Sequence, residues 1–177
     1  MMDKVLLAGF GGQGVMFIGK VMAYAGMMGK LEVCWIPSYG PEMRGGTANC
    51  SVIISNEEIN SPVIEQADCG IVLNQPSYEK FLERIKPGGA LVVNSSIVQI
   101  EAKRNDIEII AIPAGDIANE LGNANLANMV CLGALIGKMK LINMEQIEKA
   151  MEAIVGKKKP EMYEINIMAI KRGLMYC

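Results

Sequence analysis

The sequence contains no histidine. That removes imidazole as a general base, metal ligand or pH switch within this chain. It also removes any self-contained Ser–His–Asp or Cys–His site. Aromatic residues are scarce at 5%, so aliphatic side chains and the 14 methionines must fill the core or a contact surface. Five cysteines, Cys34, Cys50, Cys69, Cys131 and Cys177, include no pair at CxxC spacing. An odd count in a chain of this length argues against a disulfide framework and suits a reducing, cytoplasmic setting. Charge of one sign is also lacking: the net value is −2. Neither nucleic acid nor an anionic membrane is therefore an expected partner. The uncharged stretch Val5–Gly19 is too short to span a bilayer as a helix, which needs roughly 20 apolar residues. Its glycines read as strand and loop, not as the apolar segment of a signal peptide.

What is present is a globular composition, 51% hydrophobic and 20% charged over 177 residues. One core can bury most of the apolar surface at that length, and residues 1–177 read as a single domain with no linker or repeat. Short apolar runs alternate with helical patterns. Val5–Ala8, Leu31–Ile36, Ala48–Ser55, Cys69–Leu73, Ala90–Val93 and Ile107–Ile112 are expected strands. Val15–Met28 and Ser77–Ile85 are expected helices, and Lys86-Pro87-Gly88-Gly89 is expected to end the second and turn the chain. Met144, Ile147, Ala150, Met151, Ile154 and Val155 fall on one helical face, Gly156–Pro160 reads as a helix stop, and Met162–Met175 as a final helix. The fold class is thus α/β: a Rossmann-like three-layer sandwich with a mostly parallel sheet, helices on both faces and a helical C-terminal portion. Two helices stand out. Val15–Met28 has only Lys20 as a charge, and Leu126–Gly137 has none. A helix apolar all round is either central to its own domain or packed on another chain, and Gly133-x-x-x-Gly137 would let a second backbone approach.

Two glycine-rich loops carry the candidate chemistry. Gly9-Phe10-Gly11-Gly12-Gln13-Gly14 follows a strand and opens a helix, the context in which GxGxxG brings an anion to free helix N–H groups. A dinucleotide site also needs an acidic residue at the end of the second strand. That strand ends Trp35-Ile36-Pro37-Ser38, and Glu32 sits at its beginning. The second loop, Pro37–Gly46, holds Ser38, Tyr39, Glu42 and Arg44 in a backbone constrained by prolines and glycines. In an α/β sheet both loops share the carboxyl rim. Arg44 is suited to a forked contact with carboxylate or phosphate, and Glu42 to orienting it. A self-satisfied surface loop with a Glu–Arg pair fits the same residues. No catalytic residue and no metal ligand is assigned.

GFGGQGV at Gly9–Val15, PSYGPEMRGG at Pro37–Gly46 and the following strand ending VIIS resemble the gamma subunit, or gamma domain, of 2-oxoacid:ferredoxin oxidoreductases. The resemblance extends through NMVCLGALIG at Asn128–Gly137 and the Lys-rich Gly156–Pro160. It implies an oxidoreductase complex that decarboxylates a 2-oxoacid on thiamine diphosphate, passes electrons through iron–sulfur clusters to ferredoxin and forms an acyl-CoA. Coenzyme A is then a substrate of the complex. Thiamine diphosphate, Mg and the clusters belong to alpha and beta subunits, with a delta subunit in some assemblies, because this chain has neither cluster-type cysteine spacing nor a GDG…NN pattern. A free-standing chain of this size resembles the 2-oxoglutarate or branched-chain 2-oxoacid branch, with 2-oxoglutarate favoured. On this reading Gly9, Gly11, Gly12, Gln13, Gly14, Ser38, Tyr39, Glu42 and Arg44 touch a cofactor, CoA or a neighbouring subunit. Two other readings stay open: a stand-alone nucleotide-binding protein, and an interaction domain without a ligand.

Overall fold

Runs rich in Val, Ile and Leu become strands because such side chains pack well on a pleated, half-buried surface. In the computed structural model, which describes residues 1–38, 47–101, 104–156 and 158–177, they form β1 (Met2–Phe10), β2 (Glu32–Ser38), β3 (Thr47–Ser55), β4 (Ala67–Val72), β5 (Ile85–Asn94) and β6 (Glu108–Ile112). The helices are α1 (Val15–Met28), α2 (Gln75–Phe81), α3 (Ala114–Glu120), α4 (Ala127–Ile136), α5 (Met144–Met151) and α6 (Pro160–Leu174). One sheet runs in the order β2-β3-β1-β4-β5-β6.

β1, β4, β5 and β6 pair in parallel, while β3 lies antiparallel to both β1 and β2. Five strands therefore share one direction, as the alternation predicts. β3 is the exception: β2 ends at Ser38 and β3 begins at Thr47, too few residues between them for the crossover of about a dozen or more that adjacent parallel strands need. Helices cover both faces, unequally. One face carries α1, α3, α4, α5 and α6 against Val5, Leu7, Val52, Ile71 and Val92. The other carries α2 and extended segments against Leu6, Ile53, Leu91 and Val93.

Two local expectations differ. The Ser77–Ile85 pattern divides into α2 and a 3-10 turn at Leu82–Arg84. Lys86–Gly89 does not turn the chain but forms an irregularity inside β5, where Ala67 faces Ile85 and Cys69 faces Ala90. Pro87 has no N–H for the ladder, and beside it Arg104 donates to the carbonyls of Leu82 (3.0 Å) and Ile85 (2.7 Å).

Every residue of α4 from Asn128 to Ile136 is buried, so its lack of a polar face reflects a central position in this chain. A Cβ at Gly133 would run into the Ile170 carbonyl oxygen of α6, and one at Gly173 into the Val130 carbonyl oxygen of α4. The two glycines let these helix backbones touch. Asp3 closes the opposite edge: its Oδ2 accepts from the N–H groups of Lys140 (3.0 Å) and Leu141 (2.9 Å). Among the described residues, no helix is long and apolar enough to cross a membrane.

Gly133→Ala should lower unfolding stability by about 3 kcal/mol or more, beyond ordinary overpacking, because the obstacle is backbone. Urea unfolding followed by circular dichroism checks this, and an unchanged midpoint would refute the contact. The thiols make a pH prediction. Burial is the main cause that pushes Cys50 up to about 12, with the Trp35 indole opposing it, and burial also raises Cys69 and Cys131. A folded pKa above the unfolded one stabilises the protein below the unfolded value and loses that stabilisation above it. Stability should hold up to the ordinary thiol value of 9.0 and fall as pH climbs toward about 12. Urea midpoints across that window measure it.

Candidate functional site

The carboxyl ends of β1, β2, β4, β5 and β6 lie on one rim, where an open α/β sheet places its ligands. Direction reverses at β1: its crossover through α1 leads to β2 on one side, whereas β4 flanks it on the other. The first glycine loop sits at this switch point. Gly14 caps α1 with φ 79° and ψ 22°, and no side chain caps the helix. A Cβ at Gly14 would also displace the amide nitrogen of Asn128, but it is the positive φ that favours glycine there.

Gln13 occupies the crevice beside this turn. Its Oε1 accepts from the N–H of Phe10 (2.6 Å) and from Nδ2 of Asn74 (3.0 Å), while its Nε2 donates to the Leu73 carbonyl (3.2 Å). One side chain thus ties the β1 loop to the end of β4. A dinucleotide pyrophosphate bound at a glycine loop normally approaches the helix N-terminus here, and Gln13 already bridges that space.

The open volume lies next to it. A cavity of about 240 Å³ is bounded by Gly12 and Gln13, the end of β5 at Asn94, Gly115 at the start of α3, and Asn125 and Asn128 at the start of α4. Asn94 and Asn128 are 3% and 7% exposed. Asn94 Oδ1 accepts from the N–H groups of Ser96 and Gly115, both at 3.3 Å, and Asn128 Oδ1 from Met129 N–H at 2.8 Å. Each keeps an NH2 without a protein partner among the described residues. The N-terminus of α1, without a side-chain cap, adds free N–H groups and a positive dipole end; at α4 the Ala127 N–H is taken by the Ala124 carbonyl and the Met129 N–H by Asn128, so that helix adds its dipole end. Among the described residues, no lining side chain is ionisable. The cavity therefore offers donors to an acceptor-rich group and no side chain that exchanges protons near neutrality.

The glycines and Gln13 come together as the motif predicts. Ser38 ends β2 on the same rim and is exposed. Tyr39, Glu42 and Arg44 lie outside the described residues. Sequence reasoning missed Asn74, Asn94, Asn125 and Asn128 as a set. A signal existed: two buried strand runs end in asparagine, at Leu73-Asn74 and Val93-Asn94, and Asn74 caps α2 by accepting from Ser77 N–H at 2.9 Å. The described cysteines stay apart, and among the described residues no three Cys, Asp or Glu side chains gather as a metal site.

Fold and rim define a doubly wound α/β protein with a donor-lined, uncharged cavity at its switch point. The sequence matches the Pyruvate ferredoxin/flavodoxin oxidoreductase family over residues 4–176, and the chain belongs to that family. It is 34% identical over 174 residues to ketoisovalerate oxidoreductase subunit VorA of Methanothermobacter thermautotrophicus, covering 96% of this chain and 35% of that protein. The chain thus spans about a third of that relative. It is also 34% identical to 2-oxoglutarate synthase subunit KorC of Methanocaldococcus jannaschii, covering 98% of this chain and 92% of that one. Among solved structures, the gamma subunit of a keto/oxoacid ferredoxin oxidoreductase from Geobacter sulfurreducens superposes with a TM-score of 0.85 at 29% identity, covering 98% and 97% of the two chains. The 2-oxoglutarate:ferredoxin oxidoreductase of Magnetococcus marinus, with 2-oxoglutarate, coenzyme A and succinyl-CoA bound, gives 0.89 at 26% identity; the match covers 99% of this chain and 31% of that one.

Gln13→Ala removes three hydrogen bonds, two of them across the crevice, and should reduce stability by about 1–3 kcal/mol. Hydrogen exchange at the Phe10 amide, slow in the parent chain and fast in the variant, locates the loss. Equal exchange in both would show that Gln13 does not hold the loop.

Proposed function

We propose that this chain is the gamma-type subunit of a cytoplasmic, multi-subunit 2-oxoacid:ferredoxin oxidoreductase, with 2-oxoglutarate as the favoured substrate. The observation that carries the reading is the rim cavity: donors from Asn94, Asn128 and the α1 N-terminus, with no ionisable lining side chain among the described residues. Such a surface binds and orients; it does not do acid–base work. The KorC relative, whose own length is matched at 92%, supports the 2-oxoglutarate branch.

On this reading residues 1–177 form one unit that completes a site built by alpha and beta subunits. Partner subunits would hold thiamine diphosphate with Mg, which would supply the decarboxylation chemistry, and iron–sulfur clusters, which would supply electron transfer to ferredoxin. The isolated cysteines of this chain do not fit a cluster. Its contribution is to receive an acceptor-rich portion of CoA, with Asn94 and Asn128 donating and the Gly12–Gly14 turn admitting it closely. Ser38, Tyr39, Glu42 and Arg44 would, from the sequence of their loop, shape the entry for an anionic group.

Native purification should bring down subunits carrying thiamine diphosphate and iron–sulfur motifs; a solitary chain in the cell would sink the proposal. In the assembled enzyme, Asn128→Leu should raise KM for CoA about tenfold, the worth of roughly one buried hydrogen bond, with KM for the 2-oxoacid unchanged. Arg44→Ala should act in the same direction. Normal CoA kinetics in both variants would remove the rim from the binding site.

A further inference from the structure

Of the exposed methionines, Met1, Met27 and Met28 lie elsewhere, while three sit on α6 and its end. Met162, Met168 and Met175 of α6 and its end are 44%, 53% and 79% exposed, and Tyr176 is 45% exposed. Met168 and Met175 are seven residues apart and so share a face. Between α5 and α6 they line a groove of about 460 Å³ floored by Tyr163 and Ile167. It continues past Tyr163 into a second hollow beside Glu152 and Ala153 at the end of α5.

The rim of this groove has a sign. Its cations are already paired: Lys149 with Glu145 (2.6 Å), Lys171 with Glu148 (2.8 Å) and Arg172 with Glu120 (2.8 Å). Glu152 and Glu164 have no cationic partner among the described residues. The Tyr163 phenol lies above its ordinary value through burial first and then through the Glu148 and Glu152 carboxylates, so negative charge stands beside the apolar floor.

We infer that the α5–α6 groove seats an amphipathic segment of a partner subunit that presents apolar side chains flanked by lysine or arginine. The inference rests on the subunit reading above and assigns it a face. An apolar floor of Met, Ile and Tyr adapts to a helix laid along it, and two unpaired carboxylates select a basic edge. The same charges disfavour the other occupants. A second copy would bring its own carboxylates against these, and an anionic lipid surface would be repelled. The groove lies on α5 and α6, elements that contribute no residue to the rim cavity, so docking there leaves that site open.

The test uses the full chain and the enzyme purified with it. Met168→Asp and the double variant Glu152→Lys, Glu164→Lys are each compared with the parent for affinity to the remaining subunits and for thermal unfolding. At least a tenfold weaker association in both, with unchanged melting, supports the groove. If Met168→Asp fails to fold, the double variant, altered only at exposed positions, decides alone. Parent-like affinity in the folded variants overturns the inference while leaving the subunit reading intact. A parent chain that brings down no subunits overturns both. A homo-oligomer by light scattering that Met168→Asp dissolves would assign the groove to a second copy and overturn the basic partner.

Discussion

α4 has no face for water, and most of the structure is arranged around that constraint. A ten-residue helix without a charge must be enclosed, and it is: by the sheet beneath, by α1 and α3 at its sides, and by α6 above. Gly133 and Gly173 bring α4 and α6 into backbone contact. The closeness puts dispersion contacts where side chains would otherwise hold the helices 8–10 Å apart. Because α4 is held on all sides, its first turn is held too, and that turn carries Asn128 to Gly14 at the start of α1. The buried helix and the functional rim are one mechanical unit.

The chemistry of that rim follows from what it is made of. Backbone donors, amide side chains and helix ends bring partial charges without titration, so the cavity keeps its character across the pH range in which a protein works. Gln13 holds the switch-point crevice closed on one side while the cavity stays open on the other. A rim of this kind suits a chain that positions a substrate for chemistry performed elsewhere, which agrees with its membership of an oxidoreductase family whose relatives include chains far longer than itself. The methionine-lined groove between α5 and α6 shares no lining residue with the rim cavity, so the two proposed roles draw on separate surfaces.

Much of the fold was legible because periodicity reports burial directly. β1, with Val5 and Leu7 on one face and Leu6 and Ala8 on the other, reads as a continuous apolar run since it is covered on both sides. α1 is bounded as its pattern indicates, from the glycine turn to Gly29. The Lys86–Gly89 segment misled because Pro and Gly mark turns and strand irregularities alike; which one forms depends on whether a neighbouring strand continues the ladder. The antiparallel course of β3 was hidden for a related reason: side-chain alternation is the same in either direction.

The sequence by itself determined the α/β class, the glycine turn at Gly9–Gly14 and the absence of an acid at the end of β2, because each depends on residues close together in the chain. It also determined the family, through the two loops and the α4 segment. Tertiary structure alone decided that Asn94, Asn125 and Asn128 meet across one cavity, that Gln13 bridges β1 to β4, and that Gly133 answers Gly173 rather than another polypeptide. In these pairings Asn94 meets residues 31 and 34 positions on, Gly133 answers a glycine 40 positions on, and Gln13 reaches Leu73, 60 positions on. No local pattern encodes them; they exist only once the strand order and the packing of α4 between sheet and α6 have set which ends of which elements lie side by side.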